Sequence, residues 1–290
     1  MIVEFKELNI SDKIKKALEV LNFSQTTPIQ ALVIPKMLKG IDIIGQAQTG
    51  TGKTFAFAIP IIEKTNPNIP KIQSLILCPT RELAFQVFQE FKKLIKFYKE
   101  IKLAVIYGGE SYTKQFQELS KKPHIIIATP GRILDHLKKK KIDLSNLEIL
   151  TLDEADEMLK MGFQEDLENI LKNVPEKRQT VLFSATLPDF IKKIAKKYQI
   201  NPELLKISPQ KIAVSSIEQY YFFIKDSEKN KLLVRVLDLN KPDSVIIFAN
   251  TKKYVNDINS YLQKNGFSAD AIHGDLKQNQ RQNVMNRFRE

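Results

Sequence analysis

The sequence has little of what marks a secreted or membrane-bound protein. Its 290 residues include one cysteine, Cys78, which excludes an internal disulfide and a cysteine-based zinc site and indicates a reducing, cytoplasmic compartment. The longest apolar run covers only residues 55–62 and is interrupted by Pro60, whereas a membrane span needs roughly 20 residues. Glu4 and Glu7 stand where a signal peptide needs a basic segment. We therefore expect no export and no membrane partner.

What is present is typical of a globular protein: 43% of the residues are hydrophobic and 27% are charged. The length allows two domains at about 150 residues each. Basic residues outnumber acidic ones by 45 to 33, and the excess is spread over residues 1–208 (32 against 24) and 209–290 (13 against 9). This charge favours a polyanionic partner such as nucleic acid, although basic surfaces also occur on proteins that bind none.

Short apolar runs alternate with amphipathic segments of helical length, such as residues 81–98. This alternation predicts parallel strands covered by helices, which is an α/β fold. The six predicted strands are residues 41–45, 74–78, 103–107, 124–129, 147–153 and 180–184.

A polar stretch that contains Pro209 interrupts this pattern and predicts a linker. We assign residues 1–208 to a first domain, 209–215 to the linker and 216–290 to a second domain. In the second domain the sequence predicts strands at 217–224, 244–249 and 268–273, and helices at 252–264 and from about residue 277. A doubly wound domain needs well over about 100 residues, so we expect the second domain to be partial.

A phosphate-binding loop is predicted at residues 47–54, because the segment follows a strand and opens a helix. Its glycines would admit close approach of the phosphates, Lys53 would reach the β and γ phosphates, and the Thr54 hydroxyl would ligate Mg²⁺. The strict pattern has glycine where this chain has Ala47. The predicted nucleotide-binding residues of the loop are Gln48, Thr49, Gly50, Thr51, Gly52, Lys53 and Thr54.

An acidic tetrad, Asp-Glu-Ala-Asp at residues 153–156, follows the apolar run 147–152 directly. At the carboxyl end of a strand Asp153 can hold Mg²⁺, largely through water, and Glu154 can orient and deprotonate an attacking water. Taken alone, two acids that open a helix are more often partners of the helix dipole. Together with the phosphate-binding loop they predict hydrolysis.

In their order along the chain, these motifs resemble those of the DEAD-box RNA helicases of superfamily 2. The resemblance implies RecA-like domains with helices on both faces of a parallel sheet, and ATP and Mg²⁺ as cofactors. Phe5 and residues 23–30 resemble the family's Q motif, although Asn22 replaces its usual glycine. There Phe23 would stack on adenine and Gln30 would bind its edge, with Gln25 in the same segment.

Further segments resemble the family's RNA-backbone motifs. Any one of them alone would be an ordinary turn with a helix cap; their joint order carries the resemblance. The resemblance implies RNA contacts that are independent of base sequence. The implied RNA-binding residues are Pro79, Thr80, Arg81, Glu82, Gly108, Gly109, Thr129, Pro130, Gly131 and Arg132, and beyond the linker Asn250, Thr251, Gln278 and Arg281.

Ser184 and Thr186 belong to a Ser-Ala-Thr segment at the end of the sixth predicted strand. By resemblance this segment links hydrolysis to strand separation, its hydroxyls bonding the acids of the tetrad; the alternative is a helix cap ahead of Pro188.

The resemblance implies an ATP-dependent RNA helicase, with RNA-stimulated ATP hydrolysis that locally unwinds short duplexes. The family's later Ala-Thr-Asp and arginine-finger segments are not among these residues, so an alternative is a truncated fragment that binds nucleotide and RNA with little or no ATPase activity. A GTP-binding switch is a rival because Asn240, Lys241 and Asp243 match a guanine-reading element, but that element should follow a strand and here precedes one. We interpret it as a turn.

Overall fold

The computed structural model describes residues 2–48, 50–206 and 217–289. The chain separates into two compact units, Met1–Ile212 and Ala213–Glu290. The predicted linker, residues 209–215, lies outside the described residues, so the position of the domain boundary stays a prediction.

A parallel seven-stranded sheet forms the centre of the first unit, in the order β3-β4-β2-β5-β6-β1-β7. The six predicted strands are confirmed, with ends that shift by one or two residues. The seven strands are β1 Ile43–Gln46, β2 Ser74–Leu77, β3 Leu103–Ile106, β4 Ile125–Ala128, β5 Ile149–Leu152, β6 Gln179–Ser184 and β7 Glu203–Lys206.

Helices cover both faces of this sheet, which confirms the predicted α/β class. The helices of the first unit are α1 Asp12–Val20, α2 Pro28–Leu38, α3 Lys53–Lys64, α4 Arg81–Leu94, α5 Tyr112–Ser120, α6 Pro130–Lys138, α7 Ala155–Lys160, α8 Gln164–Leu171 and α9 Asp189–Tyr198, with short 3-10 turns at Phe5–Glu7 and Ile95–Phe97.

The core consists of two hydrophobic clusters, because successive side chains of a strand point to opposite faces. On β2, Ile76 packs in the cluster with α2, α3 and α4, whereas Leu75 and Leu77 pack in the cluster with α6, α8 and α9. Every residue of β2, β4 and β5 is buried. Strands buried on both faces give the continuous apolar runs that made them recognisable in the sequence.

Strand β7 was not predicted. It lies at the edge of the sheet beside β1, and only Leu205 of its four residues is buried. An edge strand with one buried side chain has no apolar run to mark it.

The second unit contains α10 Lys229–Asn240, α11 Lys252–Lys264 and α12 Gln278–Arg289, with a 3-10 turn at Asp226–Glu228. The two predicted helices are confirmed. The three predicted strands are wrong as strands: residues 217–224, 244–249 and 268–273 have no strand assignment. A strand requires a hydrogen-bonded neighbour and a covered face, and side chains of these segments are solvent-exposed, with Phe223 at 95% and Phe248 at 92%.

No helix within the described ranges has the length and apolar character needed to cross a membrane.

Candidate functional site

The strand order sorts the predicted site residues into two groups at the carboxyl edge of the sheet. The phosphate-binding loop, the acidic tetrad and the Ser-Ala-Thr segment follow β1, β5 and β6, which are consecutive neighbours. The segments at residues 79–82, 108–109 and 129–132 follow β2, β3 and β4, which form the other half of the sheet. Ligands of parallel α/β sheets bind at this edge. The molecule therefore carries two adjacent candidate sites.

The loop at residues 47–54 leads from β1 into α3. Gly50 and Gly52 adopt φ values of +84° and +89°, the left-handed region that glycine tolerates. The Thr51 hydroxyl donates to the carbonyl of Gln48 at 2.9 Å. Ala47 continues the pairing with β6, its backbone N donating to the Ser184 carbonyl at 3.2 Å, so a side chain is tolerated where the strict pattern has glycine. Thr49 lies outside the described residues.

Gln30 connects the segment 23–30 to this loop. Its Oε1 accepts from the backbone N of Thr27 at 2.8 Å, and its Nε2 donates to the carbonyl of Gly52 at 3.0 Å. Phe23 packs edge-to-face on Phe55 with ring centroids 5.2 Å apart and keeps 48% of its surface exposed. Gln30 thus contacts the phosphate-binding loop directly, and Phe23 contacts the helix that follows it. Gln25 forms an isolated antiparallel bridge with Glu4.

Lys53 and Asp153 face each other inside the site, with Nζ 4.0 Å from Oδ1 and both side chains almost completely buried. Burial raises the pKa of Asp153 to about 6, and the attraction of Lys53 offsets only part of that effect. Asp153 Oδ1 is buried and has no hydrogen-bond partner among the described residues. A buried carboxylate oxygen without a hydrogen-bond partner is suited to bind a cation or a water molecule of its hydration shell. Thr54 lies next to Lys53 in the first turn of α3.

Glu154 is the N-cap residue directly before α7 and lies in the left-handed region, with φ +54° and ψ +51°. A residue other than glycine in this region stores conformational strain, which concentrates at functional sites. The strained residue lies where the chain turns from β5 into α7. Its side chain is the carboxylate that the sequence assigns to catalysis.

The fourth residue of the tetrad, Asp156, binds the Ser-Ala-Thr segment. Its Oδ2 accepts from the backbone N of Thr186 at 3.0 Å and from the Thr186 hydroxyl at 2.8 Å. The Ser184 hydroxyl donates to the carbonyl of Thr186 at 2.5 Å. Burial raises the pKa of Asp156, but these bonds from Thr186 and its neighbours outweigh burial and lower it. Asp156 was not among the predicted catalytic residues, although its place in the tetrad was a signal.

In the other half of the sheet, Arg81 lies against Gly108 and Gly109. A Cβ added to Gly109 would lie 2.2 Å from Arg81 Nη1, so the guanidinium would have to shift, and the φ of +83° would make any substitution strained. Thr80 caps α4 by accepting from the backbone N of Leu83 at 3.2 Å. Pro79 precedes this cap, and Glu82 lies in the first turn of α4.

Thr129 precedes α6, whose first residues are Pro130, Gly131 and Arg132. Arg132 Nη1 donates to the carbonyl of Glu110, next to Gly109, at 3.0 Å. The segments at residues 108–110 and 129–132, which are separate in the sequence, therefore meet. Their backbone groups and basic side chains are suited to bind a sugar-phosphate chain.

In the second unit, Thr251 caps α11 by accepting from the backbone N of Tyr254 at 3.2 Å, and Asn250 precedes it. Gln278 and Arg281 lie in the first turn of α12. His273 Nε2 bonds Asn256 Oδ1 at 3.0 Å, which gives this histidine a structural partner.

No group of three or more His, Cys, Asp or Glu side chains that could hold a metal occurs within the described ranges. A cation at Asp153 would therefore draw most of its ligands from nucleotide and water, as Mg²⁺ usually does.

A family model described as DEAD/DEAH box helicase matches residues 27–194, which is more than half of the chain. The chain belongs to this family. A second model, described as helicase conserved C-terminal domain, matches residues 228–290 of the DEAD-box chain.

Among curated relatives, the DEAD-box ATP-dependent RNA helicase CshA of Bacillus cereus is 45% identical over 286 residues, which cover 99% of this chain and 54% of that protein. CshA of Bacillus subtilis is 45% identical over 290 residues and 58% of its length. The chain thus spans about half the length of the curated relatives it matches.

Solved structures give the same family. A DEAD box protein from Methanococcus jannaschii is 43% identical with a TM-score of 0.69, and the match covers 99% of this chain and 77% of that one. Dbp5 of Saccharomyces cerevisiae, bound to RNA and ADP BeF3, is 31% identical with a TM-score of 0.87, covering 99% and 73%.

Proposed function

We propose that this chain is the nucleotide- and RNA-binding part of an ATP-dependent RNA helicase, in which RNA-stimulated ATP hydrolysis drives local unwinding of short duplexes. The observation that carries the proposal is the division of the sheet edge: residues suited to phosphate and adenine follow β1, β5 and β6, and residues suited to a sugar-phosphate chain follow β2, β3 and β4. One sheet can then couple the two ligands.

ATP is the nucleotide in this proposal. Phe23 stacks on adenine, Gln30 reads its edge, and the loop amides with Lys53 hold the phosphates. The Thr54 hydroxyl and, through water, Asp153 would hold Mg²⁺, which would neutralise phosphate charge when bound. Glu154 takes the proton of the attacking water. Asp156, through Thr186, transmits the state of this site to the segment after β6.

RNA binds the second group through its backbone. The fork of Arg81, the amides of Gly108 and Gly109 and the N-terminus of α6 meet phosphates and ribose without reading bases. A relative solved with RNA, Dbp5, and the net charge of +12 support this assignment. Asn250, Thr251, Gln278 and Arg281 supply further RNA contacts from the second domain.

A second candidate is a fragment that binds nucleotide and RNA with little or no ATPase activity. The arginine-finger segment that the family resemblance implies is not among these residues, and such a finger contributes on the order of 10³ to 10⁵ in rate. Phosphate release should be measured with and without RNA, for this chain and for a chain extended through a complete second domain, with Glu154→Gln as the hydrolysis-deficient control. If RNA stimulates phosphate release by the longer chain but not by this one, the result supports both the helicase proposal and the low ATPase activity of this fragment. No stimulation of either contradicts the helicase proposal.

Nucleotide identity is tested by competition. Unlabelled ATP should displace a fluorescent ATP analogue from this chain, whereas GTP should displace it far less well. Equal displacement by GTP would contradict the roles of Phe23 and Gln30 and favour the GTP-switch reading.

We also propose a cytoplasmic location, which the single, fully buried Cys78 supports, and a domain division near residues 209–215.

A further inference from the structure

Gln115 lies on α5, outside every segment singled out in the sequence, and is 2% exposed. Both ends of its amide are engaged. Nε2 donates to the carbonyl of Tyr107 at 2.7 Å, and Oε1 accepts from Arg132 Nη1 at 3.0 Å and contacts His136 Nε2 at 2.8 Å. One buried side chain therefore joins the end of β3 to two residues of α6.

The orientation of this amide is determined by its partners. Only the NH₂ end can donate to the Tyr107 carbonyl, and only the carbonyl end can accept from the guanidinium of Arg132. His136 must then carry its proton on Nε2. Its other nitrogen, Nδ1, is buried without a partner among the described residues, which suits a neutral ring. Burial and the positive charge of Arg132 lower the pKa of His136 and favour that neutral form.

Arg132 is held on three sides. Besides Gln115, Nη1 donates to the carbonyl of Glu110 at 3.0 Å, and the guanidinium lies 4.3 Å from the centroid of the Tyr112 ring. An arginine has five N–H donors. The two bonds from Nη1 use two of them, so Nε and Nη2 keep three donors that this network does not use. The fork is thus fixed in one orientation before any ligand arrives.

We propose that Gln115 is a positioning residue for RNA binding: it orients the Arg132 fork and couples the loop at residues 108–110 to α6. The inference rests on the proposed RNA-binding function and deepens it. Gln115 does not touch RNA. It lowers the conformational cost of binding because Arg132 and the carbonyl of Glu110 are ordered in advance.

The test is a double-mutant cycle with this chain and single-stranded RNA, read by fluorescence anisotropy. Gln115→Met has a similar shape and removes both ends of the amide. We expect it to weaken RNA affinity by about 5- to 10-fold with Arg132 present, and by less than about 2-fold in the Arg132→Met background. The matched control is Gln117→Met, on an exposed position of the same helix, which should leave affinity unchanged. No loss, or an equal loss in both backgrounds, would overturn the proposal.

A second measurement separates this proposal from the proposed function. In NMR spectra of the guanidinium groups, Arg132 should give two resolved Nη signals because its rotation is hindered, and Gln115→Met should collapse them. If the wild-type chain binds no RNA, the proposed function fails, and these signals alone decide whether Gln115 orients Arg132. Should Gln115→Met not fold, Gln115→Glu keeps the acceptor for Arg132 and must keep the split signals. Free rotation of Arg132 in folded Gln115→Glu would refute the positioning role.

Discussion

Asp156 accepts two hydrogen bonds from Thr186, one from the backbone N at 3.0 Å and one from the hydroxyl at 2.8 Å. The pair ties the start of α7, after β5, to the segment after β6. In this way two hydrogen bonds join the acidic tetrad to the Ser-Ala-Thr segment across two neighbouring strands.

Thr186→Val removes the hydroxyl and leaves the backbone bond. We expect the free energy of unfolding at pH 7 to fall by about 0.5–1 kcal/mol, the net contribution of one hydrogen bond. Because the folded pKa of Asp156 is lowered, its contribution is present above the ordinary aspartate range and is lost as pH falls through the folded pKa. The difference between variant and wild type should therefore shrink in acid.

Denaturant unfolding at several pH values measures this effect. Thr113→Val, at an exposed position of α5, is the matched control and should change little. A deficit of Thr186→Val that is the same at every pH would contradict the role of the Thr186 hydroxyl in stabilising ionised Asp156.

Asp153→Asn should change stability in the opposite direction: it should raise the free energy of unfolding at neutral pH, where Thr186→Val lowers it. The pKa of Asp153 is raised by burial from 3.8 to about 6, so the folded state keeps a proton that the unfolded state has released. The cost of ionising Asp153 therefore grows between pH 3.8 and pH 6, is complete above pH 6 and is lost only below pH 3.8. We expect the variant, without nucleotide or Mg²⁺, to be more stable by about 2–3 kcal/mol at pH 7.5 and by only about 1 kcal/mol at pH 4.5.

The control for this prediction is Asp143→Asn, because hydrogen bonds from Ser145 lower the pKa of Asp143. That variant should lose stability at pH 7.5 rather than gain it. Denaturant midpoints at the two pH values decide, and a loss of stability in Asp153→Asn at pH 7.5 would refute the pKa argument.

The sequence predicted the first unit well because strands buried on both faces carry continuous apolar runs, as in β4 with Ile125, Ile126 and Ile127. It failed for residues 244–249, where an apolar run exists but no strand of the described ranges pairs with it. Strand β7 was missed for the opposite reason, since it is paired but has one buried side chain. Pairing is a tertiary property that local composition does not contain.

For the site, local patterns singled out Lys53 and Asp153, whereas Arg81 was singled out only by the order of the family-like segments along the chain. Their functional roles stay predictions. The division into two groups depends on strand order, which no local pattern specifies, and Gln115 acts only through contacts with other elements. A buried glutamine in an amphipathic helix gives no signal until its partners on β3 and α6 are known.

Gly109→Ala should weaken RNA binding through Arg81. A Cβ at this position would lie 2.2 Å from Arg81 Nη1, so the guanidinium must move away from the loop. The φ of +83° adds a strain of about 1–2 kcal/mol. Gly162→Ala is the matched control, with φ +84° and, in the described part of the chain, no atom other than those of adjacent residues within 4 Å of the added Cβ.

Both variants should lose similar stability in thermal or denaturant unfolding, while only Gly109→Ala should lose RNA affinity, by several-fold, in anisotropy titrations. Equal RNA affinity of the two variants would show that the position of Arg81 against this loop is unimportant for binding.

Gly52→Ala should reduce the preference for adenine. The added Cβ would lie 2.7 Å from Gln30 Nε2 and would push that amide from the Gly52 carbonyl, to which it donates. Gly50→Ala is the control, because it has a similar φ of +84° and the added Cβ would meet no atom within 4 Å among the described residues, apart from its neighbours along the chain. Both changes alter the loop that we propose to hold phosphates, so both should weaken ATP and GTP binding in common. Only Gly52→Ala should also lower the ratio of ATP to GTP affinity, by about 10-fold for the loss of one well-placed hydrogen bond pair.

Competition titrations with a fluorescent ATP analogue measure that ratio. An unchanged ratio in a folded Gly52→Ala chain would mean that the contact between Gln30 and the loop has no part in base selection.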